Sequence, residues 1–211
     1  MYRLHGFYTE NTMKTLYVLE ELGVDFEYVF VNLMTGENRS ESFRAMTPVG
    51  KVPVLEHDGE FLFESGAICR YVASTEHSPL FPADKLERAR VDQWMTFFTC
   101  HPGRWLTEIY FEKVIKPAAN LGETNLEACE KAEKFAHQQL KLLDRWFQHH
   151  SWLANDAPSI AEPFALAYLE QAHAIGFPLD HHPRVKAWFD QLEARDSTLR
   201  ARSRVQAYLS S

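Results

Sequence analysis

The stretch from Gly50 to Ser65, GKVPVLEHDGEFLFES, constrains the fold of this chain more than any other. Asp58-Gly59 is a dipeptide typical of two-residue hairpin turns, and the valines before it and phenylalanines after it predict two paired strands. Proline lacks an N–H and cannot lie within the middle of a sheet, so the hairpin is expected to present an edge at Pro53. A bend at Val52-Pro53, compatible with a cis peptide bond, would turn the backbone N–H and C=O of Val52 outward.

Backbone groups that face outward can pair with an extended, peptide-like ligand as an added strand would. Glu64-Ser65-Gly66 then opens a helix, whose free N-terminal N–H groups favour an anion. A ligand with an ammonium and a carboxylate on one carbon finds Glu64 for the first and Ser65 for the second. The pattern predicts a site for the amino-acid-like head of a short peptide, although Ser65 also fits an ordinary helix cap.

This arrangement resembles the glutathione-binding half of the glutathione transferase family, in which a proline after a valine and a Glu/Gln-Ser pair hold the tripeptide. The resemblance covers nearly the whole chain, and its segments are LHGFYTENTMKTLYVLEELG, GENRSESFRAMTPVGKVPVLE, SIAEPFALAYLEQAHAIGFPL and PRVKAWFDQLEAR. The likeness is greatest to the soluble bacterial and theta-like branches, in which a hydroxyl near the first helix activates the thiol.

The order of elements predicts two domains. Strand, helix, strand, short helix, hairpin and helix follow one another over residues 1–75, which is the order of an α/β thioredoxin-like layer and here the glutathione-binding domain. Residues 76–84 contain two prolines and predict a linker. Residues 85–211 predict an all-α helical domain, with a break at Pro102-Gly103 and a capping box at Ser159-Ile160-Ala161-Glu162. The family usually has aspartate in the place of Glu162, a departure that is expected to loosen the cap.

Composition restricts the partners and the compartment. The net charge of −7 argues against nucleic acid, because phosphate binding requires a basic face. No apolar run approaches the roughly 18–20 residues of a membrane span, and the N-terminus does not resemble a signal peptide. Three widely spaced cysteines without a CxxC pair fit a reducing, cytoplasmic location without structural disulfides.

The reaction that the resemblance implies needs a thiolate, whereas a free thiol has a pKa of about 8.5. Thr9, at the start of the first helix, is the preferred activating residue, Asn11 is a second donor, and Tyr8 is a third candidate. The alternative is that Thr9 and Asn11 only cap the helix. Glu10 replaces a small residue or proline of the family, and its carboxylate would oppose the thiolate unless it points to solvent.

Two further groups of residues complete the expected site. The resemblance implies that Lys51 and Asn38 hold the C-terminal carboxylate of glutathione, beside Val52, Pro53, Glu64 and Ser65. A pocket for the second substrate is expected next to the first long helix of the helical domain, and its candidates are Phe97, Phe98, His101, Arg104 and Trp105. Arg104 would favour an acceptor that carries negative charge.

No metal site is expected. The pairs His149-His150 and His181-His182 lack cysteine or carboxylate partners at ligand spacing and are interpreted as surface histidines. Cys69 falls on the helix after Ser65 and is expected to be buried in the core.

The leading interpretation is a cytoplasmic, homodimeric glutathione transferase that adds glutathione to a small electrophile. Glutathione is then a consumed co-substrate, and no permanently bound cofactor is expected. One alternative is a glutathione-dependent disulfide reductase or peroxidase, and another, favoured by Glu10, is a non-catalytic glutathione-binding or regulatory protein. The sequence leaves open the identity of the electrophile and whether the role is detoxification or a catabolic step.

Overall fold

The computed structural model describes residues 1–209, which divide into two compact units. The first unit combines Met1–Ala83 with the segment from Ala194 to the end of the described chain, and the second is Asp84–Glu193. The expected α/β thioredoxin-like region and all-helical region are both confirmed. The last helix packs on the first helix of the chain, so that it groups with the α/β unit.

The first unit is built on a four-stranded sheet in the order β2-β1-β3-β4. Strands β1 and β2 are parallel, and β3 pairs antiparallel with both β1 and β4. The strands are β1 (Tyr2–Gly6), β2 (Phe26–Phe30), β3 (Val54–His57) and β4 (Glu60–Phe63). The parallel pair requires a crossover, which the first helix supplies.

Four helices accompany this sheet: α1 (Glu10–Leu22), α2 (Glu41–Met46), α3 (Ser65–Thr75) and, near the C-terminus, α11 (Asp196–Leu209). Thr9 caps α1 by accepting a hydrogen bond from the Thr12 N–H, and Gly23 ends it in the left-handed conformation, with φ of 68°. Gly6 permits close packing of β1 on α1, because a Cβ there would collide with the Thr12 side chain.

The position of Pro53 differs from the predicted edge. Pro53 immediately precedes β3, which lies between β1 and β4, and the edge strand of the hairpin is β4. The pairing of β3 with β1 begins at Val54, so no ladder hydrogen bond is required of the Pro53 nitrogen. The prediction of an edge at Pro53 is therefore wrong, and the proline is tolerated because it stands outside the ladder.

A small apolar cluster attaches the segment before β3 to the rest of the unit. Val52 and Val54 are buried against Val31 and Phe43, and Phe7, Leu33 and Met46 pack around them. Because Val52 is part of this core, its backbone is held in a fixed place beside the sheet.

Acidic side chains of α1 hold α11. The Glu20 carboxylate is buried and accepts a hydrogen bond from Arg200 Nε at 2.8 Å and a second from Arg204. Glu21 is paired with Arg195 and accepts a hydrogen bond from the Ser197 hydroxyl. These charge-assisted contacts explain why the last helix belongs to the first unit.

The second unit consists of helices, and the strands of the described chain all belong to the first unit. The predicted break occurs at His101, and the helix restarts at Pro102. Gly103 permits close packing there, because a Cβ would collide with the Tyr168 ring. The helices are α4 (Lys85–Cys100), α5 (Pro102–Tyr110), a π-helical turn (Phe111–Ile115), α6 (Lys116–Ala118), α7 (Leu126–Trp146), α8 (Ala161–Leu169), α9 (Gln171–Ile175) and α10 (Pro183–Glu193).

The predicted capping-box residues interact before α8, although the cap position itself is Ile160. The Ser159 hydroxyl accepts a hydrogen bond from the Ala161 N–H at 3.2 Å. The Glu162 carboxylate accepts hydrogen bonds from the Ser159 N–H at 2.8 Å, the Ser159 hydroxyl at 2.7 Å and the Leu153 N–H at 2.7 Å. Burial raises the pKa of Glu162, and these hydrogen bonds offset part of the rise.

Over residues 1–209, no helix has the length and apolar character needed to cross a bilayer.

Candidate active site

Strand register brings three segments to one end of the sheet. His5, near the end of β1, pairs with Val54 at the start of β3, so the segment leading to Thr9 begins beside Pro53. Val54 also pairs with Phe63 at the end of β4, which places Glu64 on the other side of Pro53. The N-termini of α1 and α3 therefore both start from this end of the sheet, where their unpaired N–H groups favour an anion.

The Val52–Pro53 peptide bond is cis, as the sequence suggested. Val52 lies outside the strands, and within residues 1–209 its backbone N–H and C=O have no hydrogen-bond partner. Because Pro53 precedes an inner strand, these groups are not placed to receive an added edge strand of the sheet. Their geometry suits a short extended segment across the end of β3.

Asn38 fixes the backbone just before this bend. Its Nδ2 donates a hydrogen bond to the Gly50 carbonyl at 2.8 Å. Gly50 has a φ of 59°, a conformation that glycine adopts without steric cost. Lys51 follows with an exposed side chain, so Asn38 positions the segment that carries Lys51.

Glu64 and Ser65 form the start of α3. Glu64 has φ of 72° and ψ of 111°, and it occupies the N-cap position without using its side chain as a cap. Such a backbone costs a non-glycine residue on the order of 1–3 kcal/mol and is concentrated at binding and active sites. The Glu64 carboxylate is exposed and thereby available to a ligand.

Ser65 is the first residue of α3 rather than its cap, so its interpretation as an ordinary cap is wrong. The residue is only 6% exposed, and its hydroxyl makes no hydrogen bond to the described part of the chain. An unpaired hydroxyl on a largely buried residue, beside free helix N–H groups, is well suited to bind a carboxylate.

The interpretation of Thr9 as a helix cap is confirmed. The Thr9 hydroxyl accepts from the Thr12 N–H at 3.3 Å and donates its proton to Thr12 Oγ1 at 3.1 Å. A hydroxyl has one proton to donate, so Thr9 must release Thr12 before it can donate to a sulfur. Asn11 is exposed, and its Oδ1 accepts from Lys14 Nζ at 2.9 Å. Tyr8 has 56% of its surface exposed, just before this helix.

Glu10 is neither solvent-exposed nor unpaired, the two situations that the sequence suggested. Its Oε1 lies 2.5 Å from Lys14 Nζ, and its side chain is 13% exposed. Lys14 is itself 3% exposed. The carboxylate beside Thr9 is therefore paired with a buried cation one helical turn further on.

The candidates for the second-substrate pocket have different surroundings. Phe98 is 0% exposed and packs against Tyr168 and Trp188, so it belongs to the core of the helical unit and its assignment to a pocket is corrected. The others remain accessible: His101 and Arg104 are exposed, and Phe97 and Trp105 are half-buried.

The Arg104 guanidinium lies 4.8 Å from the ring centroid of Trp105, which in turn stacks on Phe135. The cation–π contact with Trp105 holds the Arg104 guanidinium in place. The role of these residues toward a second substrate stays a prediction.

Cys69 and the paired histidines lie outside this site. Cys69 is 0% exposed, which confirms it as a core residue, and this burial raises the pKa of its thiol to about 12. Within residues 1–209, no three His, Cys, Asp or Glu side chains are grouped so as to hold a metal ion. His182 is buried, contrary to its interpretation as a surface residue, and its ring is hydrogen-bonded to His137 at 2.8 Å.

Sequence reasoning missed Lys14 and His137. A lysine among the apolar residues of α1 is ordinarily solvent-exposed, and only its spacing of four residues from Glu10 signalled a pair. The partner of His137 is 45 residues away, so no local signal indicated it.

Comparison with known proteins agrees with this fold. Residues 1–74 match the N-terminal domain of glutathione S-transferases, and residues 103–196 match the C-terminal domain. Glutathione S-transferase 3 of Zea mays is 33% identical over 205 residues, which cover 92% of this chain and 89% of that protein.

Solved structures match over nearly the same length. The maize glutathione S-transferase I in complex with an atrazine–glutathione conjugate has a TM-score of 0.89 at 28% identity, covering 97% of this chain and 98% of its own. A glutathione S-transferase of Pseudomonas fluorescens has a TM-score of 0.81 at 29% identity, covering 93% and 96%.

The chain belongs to the glutathione S-transferase family, and its activity is that of the family, the transfer of glutathione to an electrophile. The resemblance to bacterial and theta-like branches was too specific. The curated relatives include F-type, or phi-class, enzymes of rice, maize and Arabidopsis, whose similarity spans about nine-tenths of the chain.

Proposed function

We propose that the chain binds reduced glutathione across the end of the sheet where α1 and α3 begin. The Glu64 carboxylate holds the ammonium of the γ-glutamyl group, and the Ser65 hydroxyl with the α3 N-terminus holds its carboxylate. The Val52 backbone pairs with the cysteinyl residue as a strand would. Lys51, positioned by Asn38, holds the glycine carboxylate.

The proposed chemistry is deprotonation of the glutathione thiol and attack of the thiolate on an electrophilic carbon. The N-terminal end of α1 favours the negative charge, and a donor from Asn11, Thr9 or Tyr8 stabilises it further. Asn11 is the preferred donor, because the Thr9 proton is used by Thr12. This reverses the order that the sequence favoured.

One observation carries the proposal. Val52 presents an unpaired backbone N–H and C=O, and Ser65 an unpaired hydroxyl, at the same end of one sheet. A peptide with a free amino-acid head satisfies all three groups. Donors and acceptors that the protein leaves unpaired, grouped at one end of a sheet, support a ligand of that chemistry.

The second substrate is proposed to be a small electrophile that contacts Arg104, whose charge favours an anionic acceptor. We also propose a cytoplasmic homodimer that requires no permanently bound cofactor, in keeping with the three separated cysteines and with the family. A role in detoxification belongs to the same proposal.

Titration calorimetry with glutathione tests the binding site. Ser65→Ala is expected to weaken binding about 10- to 100-fold, because a hydrogen bond to a charged group contributes roughly 1.5–3 kcal/mol. Ser203→Ala is the matched control, since that hydroxyl bonds the Leu199 carbonyl within α11, and it should bind as the wild type does. Equal affinity in both variants would contradict the assignment of Ser65.

A kinetic comparison tests the reaction. A chloronitrobenzene and a mixed glutathione disulfide are offered to the wild-type protein under the same conditions. Conjugation of the aryl halide supports the transferase, preferential turnover of the disulfide supports a reductase, and binding of glutathione with no turnover supports a non-catalytic protein.

A further inference from the structure

The side chains in the first turn of α1 form an ion-pair network. Lys14 Nζ lies 2.5 Å from Glu10 Oε1 and 2.9 Å from Asn11 Oδ1. The Lys14 side chain is 3% exposed and that of Glu10 is 13% exposed, so the pair is almost removed from water. Lysine is rarely buried unless it is paired, because the loss of hydration is unfavourable for its charge.

Lys14 determines which end of the Asn11 amide faces outward. An ammonium carries only donors, so Asn11 must offer it the Oδ1 acceptor. The two ends of a planar amide point in different directions, and the Nδ2 donors are therefore directed away from Lys14. Without this cation either orientation of the exposed amide would be available, and one of them presents an acceptor to the ligand.

Lys14 also compensates the carboxylate that precedes Asn11. Glu10 is adjacent in sequence to both Thr9 and Asn11, and a carboxylate close to a thiol raises the pKa of that thiol. The contact between Glu10 and Lys14 places a positive charge against that carboxylate. A buried pair is screened by salt much less than an exposed one.

We propose that Lys14 is a positioning residue for thiolate formation. It pairs with Glu10, so that the carboxylate opposes the thiolate less, and it directs the Asn11 amide donors toward the sulfur of glutathione. Lys14 itself need not touch the substrate. This inference rests on the proposed function, because it concerns the ionisation of bound glutathione.

The experiment measures the pKa of bound glutathione from the ultraviolet absorbance of its thiolate as pH is varied. Lys14→Met is expected to raise this pKa by about one unit, a tenfold loss in ionisation constant, since it removes the cation and releases the amide. Glu10→Gln is expected to leave the pKa unchanged or lower it. In the double variant Glu10→Gln/Lys14→Met, the rise of the thiol pKa should be smaller than in Lys14→Met. The rise that remains in the double variant measures the effect of the Asn11 orientation.

Lys116→Met provides a matched control. Lys116 forms a comparable pair with Glu112 four residues earlier, at 2.9 Å, but in the helical unit. This variant should leave the pKa of bound glutathione as it is in the wild type. A similar rise of the thiol pKa in Lys14→Met and Lys116→Met would show that removing any lysine charge has this effect, and would overturn the role of Lys14.

The outcomes separate this inference from the proposed function. If wild-type protein shows no uptake of glutathione by calorimetry, the proposed function fails. If Lys14→Met binds glutathione and its thiol pKa equals that of the wild type, the proposed function stands and the role of Lys14 is refuted. If Lys14→Met does not fold, Glu10→Gln and the double variant decide: a higher pKa in the double variant supports the inference, and equal values overturn it.

Discussion

At the scale of single residues, Thr9 and Asn11 lie at the start of the same helix, but their side chains make different hydrogen bonds. The Thr9 hydroxyl is engaged on both sides by Thr12, so it serves the helix. The Asn11 side chain is exposed and uses its acceptor on Lys14, so its donors remain available to a ligand. Both residues were candidates from the sequence, and their hydrogen bonds differ: the Thr9 proton is used within the helix, whereas the Asn11 amide donors are not.

Asn11→Ala is expected to lower kcat about 10²-fold, because it removes a donor that is preorganised for the developing charge. Thr9→Ala is expected to reduce kcat less and to lower the free energy of unfolding by about 1 kcal/mol through loss of the cap. Steady-state kinetics and urea unfolding on both variants provide the measurements. A larger loss of kcat in Thr9→Ala, with Asn11→Ala close to wild type, would return the donor role to Thr9.

At the scale of elements, the buried Glu162 carboxylate at the start of α8 forms hydrogen bonds to two segments of the chain. Glu162 accepts from Ser159 in the cap and from Leu153 in the preceding loop. The sequence identified the capping box, but it did not indicate the contact with Leu153. The longer side chain in place of aspartate thus serves a second backbone N–H.

Glu162→Ala is expected to lower the free energy of unfolding by about 3 kcal/mol, because it leaves buried N–H groups of Leu153 and Ser159 without an acceptor. Glu87→Ala is a suitable control, since Glu87 lies in the first turn of α4 and Asp84 supplies the cap there. Chemical denaturation of both variants measures the difference. A loss below about 0.5 kcal/mol in Glu162→Ala, the range of ordinary surface substitutions, would refute this role.

At the scale of the whole molecule, the pair His137 and His182 makes stability depend on pH. Burial is the main cause that lowers the pKa of both imidazoles, and each also lies near other histidines. The charged groups around them are Glu133, Lys141, Asp144 and His181. The two rings share one hydrogen bond between Nδ1 and Nε2, which requires at least one of them to be neutral.

The stability of the chain is expected to fall as pH decreases through about 6.5, the ordinary value for histidine, toward the lowered values of the folded protein. In that range the unfolded chain binds more protons than the folded one. Each such proton therefore lowers the free energy of unfolding by up to about 1.4 kcal/mol for each unit of pH. His137→Gln should reduce this dependence, and His149→Gln, at an exposed residue, should retain it. Identical slopes of unfolding free energy against pH in wild type and His137→Gln would contradict the prediction.

Much of the architecture could be predicted because its signals are local. The Asp58-Gly59 turn, the cap at Thr9 and the break before Pro102 are all present. Each depends on the backbone preferences of a few neighbouring residues. Phe98 was misassigned because aromatic residues at helical spacing look alike whether they face a core or a pocket.

The sequence by itself predicted the α/β and all-helical regions, the hairpin at Asp58-Gly59, and the residues that we propose form the glutathione site. The tertiary structure alone decided that Pro53 precedes an inner strand, that Ser65 has a free hydroxyl, and that Lys14 is buried against Glu10 and Asn11. Turns and caps are fixed by short-range sterics and hydrogen bonds. Strand order, burial and the partners of a charge depend on segments distant in sequence, and only the folded chain brings those together.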